Sequence, residues 1–359
     1  MQKKEEIPMK EEIHVYVNMP GFSPNFSTVG EALAAVSGLD AKNETLPDTQ
    51  RTFPAPFSEE TPAFIHIGKG IYREKLTVTR NRLTLLGEDC ENTILVYGDG
   101  AFDVMEDNSR RGTFRTASFR IDANDFTARH LTFQNDAGFG HTAGQALALY
   151  AEGDRLYLED CRLLGSQDTL FTAPLPLKEA KPGGFTGPGE HRPRVLGRQL
   201  YRSCFIQGDV DFIFGGGIAY FENCTIFSKL PGDRIPPESP KEETIYGYVT
   251  AASTPKGQPY GYVFQDCRLT SDCPPRSVYL GRPWREWAKT VFLHCELGEH
   301  IHPLGWNDWG KPHGHFYYGE YDSYGPGANP DTRADFSHQL TKEEAAEYTL
   351  DRVLQGWRP

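Results

Sequence analysis

Phe221-Glu-Asn-Cys224-Thr-Ile226 has copies on both sides of it in the chain. Leu158-Glu-Asp-Cys161-Arg-Leu163, Tyr201-Arg-Ser-Cys204-Phe-Ile206, Phe264-Gln-Asp-Cys267-Arg-Leu269 and Phe292-Leu-His-Cys295-Glu-Leu297 share its form, and Ala128-Arg-His-Leu131-Thr-Phe133 is an earlier copy without the cysteine. The intervals between cysteines are 43, 20, 43 and 28 residues. The residue before each cysteine is Asp, Ser, Asn, Asp or His, mostly types that favour a tight bend. One such unit cannot bury its own apolar face, but stacked units can. The expectation is a solenoid of β-strands with Cys and aliphatic side chains stacked along its interior. The two 43-residue intervals then hold long loops, Thr172 to Arg194 and Lys229 to Thr244, on the side where a solenoid walls a binding groove.

Outward from the repeat, the chain reads as one domain over 1–359. Residues 12–60 give a strand at Ile13–Val17, a helix and a Pro-rich loop. Thr28-Val-Gly-Glu31 is a capping box for that helix, with Gly38 as its stop. Residues 62–310 form the solenoid, and 311–359 an aromatic tail and a helix opened by a second capping box, Thr341-Lys-Glu-Glu344, and running to about Leu354. The fold class is all-β with short terminal helices.

The 359 residues include 36 Gly and 26 Pro, and the formal net charge is −12. That charge argues against nucleic acid or anionic membranes as partners, and against an acidic polymer unless its charge is masked, for example as methyl esters. The apolar runs are too short to span a bilayer. No apolar segment follows the charged N terminus, so no signal peptide is read. The expected location is cytoplasmic, or secreted if an export signal was removed. Seven cysteines without a CxxC pair make zinc unexpected and core packing the favoured role over disulfides.

Chemistry points to Gly208-Asp-Val-Asp-Phe-Ile-Phe-Gly-Gly-Gly217, which sets Asp209 and Asp211 in an apolar run. Strict period-two alternation would turn Asp209, Asp211 and Ile213 to one face and Val210, Phe212 and Phe214 to the other. A carboxylate beside Phe and Ile is paired or chemically active. Asp168 is a third acidic candidate. Gln145 and Gln167 are neutral donors suited to an oxyanion, Arg282 could keep a carboxylate ionised, and Trp284 offers a face for a sugar ring. Taken singly, each has a plainer reading as a backbone partner, a turn cap or a surface bend. Spacing alone does not bring them together.

The ordered stretches Gly70-Ile-Tyr-Arg-Glu74, Phe133-Gln-Asn135, Gln145-Ala-Leu-Ala-Leu149, Gln167-Asp-Thr-Leu170, Asp211-Phe-Ile-Phe-Gly215 and Leu280-Gly-Arg-Pro-Trp284 closely resemble the pectin methylesterases (pectinesterases). So do the helix at Phe26–Leu33, Gly305-Trp306 and Gly325-Pro-Gly327. The resemblance covers nearly the whole chain. It implies a right-handed parallel β-helix that hydrolyses the C6 methyl ester of galacturonate units in pectin or methylated oligogalacturonides, without metal or other cofactor; a monomer is expected. It implies Asp211 as nucleophile, Gln145 and Gln167 as oxyanion donors, Asp168 as general acid then base, and Arg282 as the group orienting Asp211. Trp284, Trp306 and Phe171 would line sugar subsites, while Asp209 has no counterpart in the motif. Without an export signal, short methylated oligomers are the expected substrate. The alternatives are a substrate-shifted acyl esterase or thioesterase on the same scaffold, a polygalacturonase or pectate lyase, or a non-catalytic carbohydrate-binding β-helix.

Overall fold

The bend before each cysteine is a single residue in the left-handed region. Asp160, Ser203, Asn223, Asp266 and His294 have φ of 49°, 52°, 53°, 54° and 53°, and His130 in the cysteine-free copy has 57°. Asn and Asp tolerate this region at low cost because their short polar side chains bond locally. Each bend passes the chain from one sheet to the next. Leu156–Glu159 thus ends in the first sheet and Arg162–Leu164 begins in the second.

The computed structural model describes residues 12–37, 61–232 and 244–359. Among them the strands form three sheets of twelve, eight and seven members, and neighbouring strands run parallel throughout. Successive rungs of the chain supply successive strands of each sheet, which is the topology of a parallel β-helix. The first sheet starts at Asn25–Phe26 and Ile13–Val17, and runs on through Tyr317–Tyr321 to His338–Gln339. It therefore extends beyond the expected 62–310 at both ends. The N-terminal residues 1–11, the Gly38 stop and loop at 38–60, and residues 233–243 of the second long loop lie outside the described residues.

The interior follows from in-register pairing. Tyr201, Phe221, Phe264 and Phe292 occupy the same position on adjacent strands of the first sheet. Their rings stack at centroid distances of 4.8, 4.4 and 4.4 Å. Cys161, Cys204, Cys224, Cys267 and Cys295 form a parallel file, each thiol donating to a carbonyl of the preceding rung at 3.4–3.5 Å. All seven cysteines are free, and these five are buried. A small apolar side chain with one weak donor satisfies a rung carbonyl without leaving a void.

The N-terminal helix Val29–Ser37 buries Val29, Ala32, Leu33 and Val36 against the first rungs. Its capping box is formed: Thr28 Oγ1 accepts the Glu31 N–H at 3.1 Å and Glu31 Oε2 accepts the Thr28 N–H at 3.2 Å. Glu74, from the Gly70–Glu74 motif, accepts the N–H groups of Val29 and Gly30 at 2.9 and 2.8 Å, placing negative charge at the helix start.

At the other terminus the Thr341/Glu344 capping box is also formed. The single helix to Leu354 is not. It stops after Ala345, tightens over Ala346–Tyr348, breaks at Thr349 in extended conformation, and resumes at Leu350–Val353. The break turns Val353 and Leu354 into a cluster with Leu200, Ile218, Tyr220 and Val263 on the outer face of the first sheet.

Beneath this end, Arg333 makes a two-pronged pair with Glu320 at 2.8 and 2.9 Å, both side chains 4% exposed. Glu320 also accepts the Trp306 indole N–H at 2.9 Å. Removing one partner strands a buried charge. Arg333→Leu and Glu320→Leu are each expected to cost about 3–5 kcal/mol in equilibrium denaturant unfolding, and the double replacement less than the sum. Single losses below about 1 kcal/mol would mean the pair is hydrated in solution.

Candidate active site

The third sheet carries the site at one edge of its strands. Leu149, Leu170, Ile213, Thr250 and Gly281 are partners in register across it. Gln145 lies just before Leu149–Glu152, Gln167 and Asp168 just before Leu170–Thr172, Asp211 within Val210–Gly215, and Arg282 just after Val278–Gly281. Consecutive members of this set, far apart in sequence, thus stand one or two rung spacings apart, about 5 Å each, and the whole set spans four.

Alternation fails at Asp211. Its φ is 52°, and the pairing to the next strand shifts register between Val210 and Ile213. Phe212 and Ile213 consequently both enter the solenoid core, while Asp211 and Phe214 both face the outer cavity. This corrects the strict period-two expectation. The bulge needs Gly208, because a Cβ there would sit 2.2 Å from the Phe212 Cβ and 2.6 Å from the Ser166 carbonyl. Asp168 is likewise left-handed, at φ 64°, and its N–H donates to the Val210 carbonyl at 3.1 Å. Backbone bonds also fix the amide-bearing residues: the Gln145 carbonyl accepts from Ala101 and the Gln167 carbonyl from Ala146, at 2.9 and 3.1 Å.

All five proposed catalytic side chains line one cavity of about 350 Å³, with Trp284 on its wall. Arg282 grips Asp211 through Nε to Oδ1 at 2.8 Å and Nη2 to Oδ2 at 2.7 Å. Asp168 and Asp211 are 8% and 7% exposed. Burial pushes the Asp168 carboxyl well above the ordinary range, and the Asp211 charge adds to this against the pull of Arg282. Burial also raises Asp211, but hydrogen bonds and charge from Arg282 draw it back. Of the two carboxyls, Asp168 is the one pushed further towards its protonated form, while Arg282 favours the charged form of Asp211.

Two expected subsite residues lie elsewhere. Phe171 is fully buried below the cavity floor, its ring 4.8–5.1 Å from those of Tyr150, Phe214 and Phe114. It points outward from the strand, but its neighbours cover it. Trp306 is 1% exposed, stacked on Tyr318 at 4.3 Å and bonded to Glu320, so it is core. Of the two indoles on this turn, the one that lines the cavity is Trp309, three residues on. The Gly305-Trp306 signal had pointed to the wrong member of that pair. Phe114, Phe185 and Phe214 complete the aromatic wall; no motif singles out Phe114 or Phe185, and strict alternation turns Phe214 away from Asp211. Asp209 is buried and accepts the Val210 N–H at 2.6 Å, away from the cavity lining.

The long loop 173–197 walls the cavity with Ala180, Lys181, Gly184 and Phe185. Phe185 touches both Phe114 and Trp284 edge-on, at 5.9 and 6.4 Å. Arg192 anchors the loop by a two-pronged pair with Asp122. Among the described residues no three His, Cys, Asp or Glu side chains group in a way that could hold a metal ion. An arginine-paired carboxylate and a carboxyl pushed towards its protonated form, lining one cavity with two amides, are equipped for acyl transfer.

The sequence model of the Pectinesterase family matches residues 25–175 and 195–357, which leaves 176–194 of the cavity-walling loop unmatched. The chain is 33% identical over 376 residues to Pectinesterase A of Dickeya dadantii, covering 93% of each. It is 32% identical to Putative pectinesterase 11 of Arabidopsis thaliana, covering 82% of the chain and 70% of that protein. Among solved structures it is similar to pectin methylesterase PemA from Erwinia chrysanthemi, with a TM-score of 0.73, 30% identity and 97% and 98% coverage. A pectin methylesterase solved in complex with a hexasaccharide is similar at TM-score 0.72 and 31% identity, with the same coverage.

Proposed function

Because this chain belongs to the pectinesterase family and is a pectinesterase, a carboxylic ester hydrolase acting on pectin, we propose that it works through an aspartyl acyl-enzyme. Asp211 attacks the C6 carbonyl of a methylated galacturonate. The tetrahedral oxyanion is held by the side-chain amides of Gln145 and Gln167, each worth roughly 3 kcal/mol at the transition state. Asp168 gives its proton to the departing methoxide, and methanol leaves. The carboxylate of Asp168 then takes a proton from water as it attacks the anhydride, which frees the galacturonate acid, restores Asp211 and leaves Asp168 protonated.

The single observation that supports this reading is the Arg282–Asp211 pair facing the raised carboxyl of Asp168 across one cavity. A weak nucleophile becomes competent when its water is removed and its aim fixed. Lys181, Arg282 and Arg285 also line the cavity, so an acidic chain presents local positive charge to a uronic acid polymer. Trp284, half-buried on the wall, is the sugar-stacking face. The extra wall from 176–194 supports a preference for short methylated oligomers; equal turnover per ester on long pectin and on a tetramer would sink that preference.

The test is methanol release from highly methylated pectin and from methylated oligogalacturonides, by wild type and Asp211→Ala, with and without chelator. Methanol from wild type alone, unchanged by chelator, is expected. A folded wild type that releases none would point to a substrate-shifted acyl esterase or a carbohydrate-binding β-helix.

A further inference from the structure

Arg282 meets Asp211 with one edge, and both of its faces are covered. The guanidinium carbon lies 3.8 Å from the Tyr248 ring centroid and 3.7 Å from the Trp309 centroid. Two rings that close cannot share one face, so they enclose the cation between them. Tyr248 is backed in turn by Tyr279, stacked at 5.6 Å and 9°. The other jaw is unusual. Trp309 is 40% exposed and belongs to no core cluster, yet its backbone is left-handed at φ 54°. For a bulky side chain that conformation is strained and persists only where its surroundings impose it. The Trp309 N–H donates to Asn307 Oδ1 at 2.9 Å and the Gly310 N–H to Asp308 Oδ1 at 2.8 Å. Asn307 N–H donates to the Gly281 carbonyl at 3.1 Å, tying this turn to the residue before Arg282.

We propose that Trp309, working against Tyr248, is a positioning residue: the two rings hold the Arg282 guanidinium edge-on to Asp211 and keep water off the pair. The proposal rests on Asp211 being the nucleophile. An arginine on a flexible stem has many rotamers, and water reaching its open face would weaken its hold on the carboxylate. With both faces blocked, the fork is left to the edge that Asp211 occupies.

The charged and titratable groups that act on Asp211 are Arg282, Lys311 on the Trp309 loop, Asp168 across the cavity and the buried Tyr318. Loosening Arg282 leaves burial less opposed, so Asp211 takes up a proton at higher pH. Trp309→Ala is therefore expected to lower kcat about 10- to 100-fold while KM stays within about twofold, with the acid limb of kcat/KM moved to higher pH. Trp309→Phe, which restores a ring over the cation, is expected to recover most of the loss and return the limb towards its wild-type position. Both variants should keep the wild-type unfolding midpoint to within a few degrees, since the indole is not core. A rise in KM with kcat and the acid limb unchanged would make Trp309 a sugar platform and overturn the clamp. Asp211→Asn, assayed alongside, separates the two layers. If it is inactive while Trp309→Ala behaves as wild type, only the clamp fails. If Asp211→Asn retains wild-type turnover, the nucleophile assignment fails and takes the clamp with it.

Discussion

Asp211→Asn is expected to lower the rate of methanol release by about 10⁴-fold or more while leaving the fold in place. The neutral amide still reaches Arg282, so the cavity keeps its shape, but it cannot form the acyl bond. Asp211→Ala should be as inactive and less stable, because it leaves the guanidinium 2.7 Å from an empty position in a site that is largely closed to water. Comparing the two isolates chemistry from packing. Activity should follow the carboxylate, and the gap in unfolding midpoint between the two should follow the hydrogen-bond partner that Asn keeps beside Arg282 and Ala removes. Residual turnover within tenfold of wild type in a folded Asp211→Asn would mean that water, not this carboxylate, attacks the ester.

The second large effect is at Asp168. Methoxide is a poor leaving group, so loss of the acid should cost about 10³-fold on methyl esters. On an aryl ester of galacturonate, whose leaving group needs no proton, the first step of Asp168→Asn should be nearly normal. The second step still lacks its base. A burst of phenol followed by slow turnover is expected, with an acyl-enzyme visible as an added mass on the intact protein.

The pH profile gives an independent check. Asp211 must be ionised, so kcat/KM falls as pH drops through its pKa, which burial raises against the pull of Arg282. Asp168 must be protonated, so kcat/KM falls again as pH climbs through its strongly raised pKa. The bell should lose its alkaline limb in Asp168→Asn and keep its acid one. Retention of both limbs would assign the alkaline limb to another group.

The solenoid was legible because its bends and its interior are written in the same six residues. A cysteine that fits a rung interior, preceded by a residue that tolerates φ near 50°, recurs at five successive turns from the first sheet to the second. The five candidate catalytic residues came from ordered motifs; their convergence depends on pairing between strands far apart in sequence, which spacing does not encode. The failures have physical causes too. Period two assumes an unbroken strand, and the left-handed Asp211 adds a bulge that reverses the faces after it. Phe171 does point outward, but a neighbouring aromatic cluster covers it, which strand periodicity cannot show. Trp306 and Trp309 share one short turn, and tertiary contacts tell them apart: the first indole stacks on Tyr318 and donates to the buried Glu320, and the second lies over Arg282.

The first sheet is bounded at each end by a strand of only two residues, Asn25–Phe26 and His338–Gln339. A stack of parallel rungs is a template of indefinite length, since every rung offers the next the same row of donors and acceptors. Two residues present too short a row for a second molecule to dock against. The helix Val29–Ser37 closes the apolar interior at the first of these ends. Among the described residues the first sheet thus ends, in either direction, on a strand too short to template another, and molecules of this enzyme crowded end against end on one polysaccharide meet a blunted edge there.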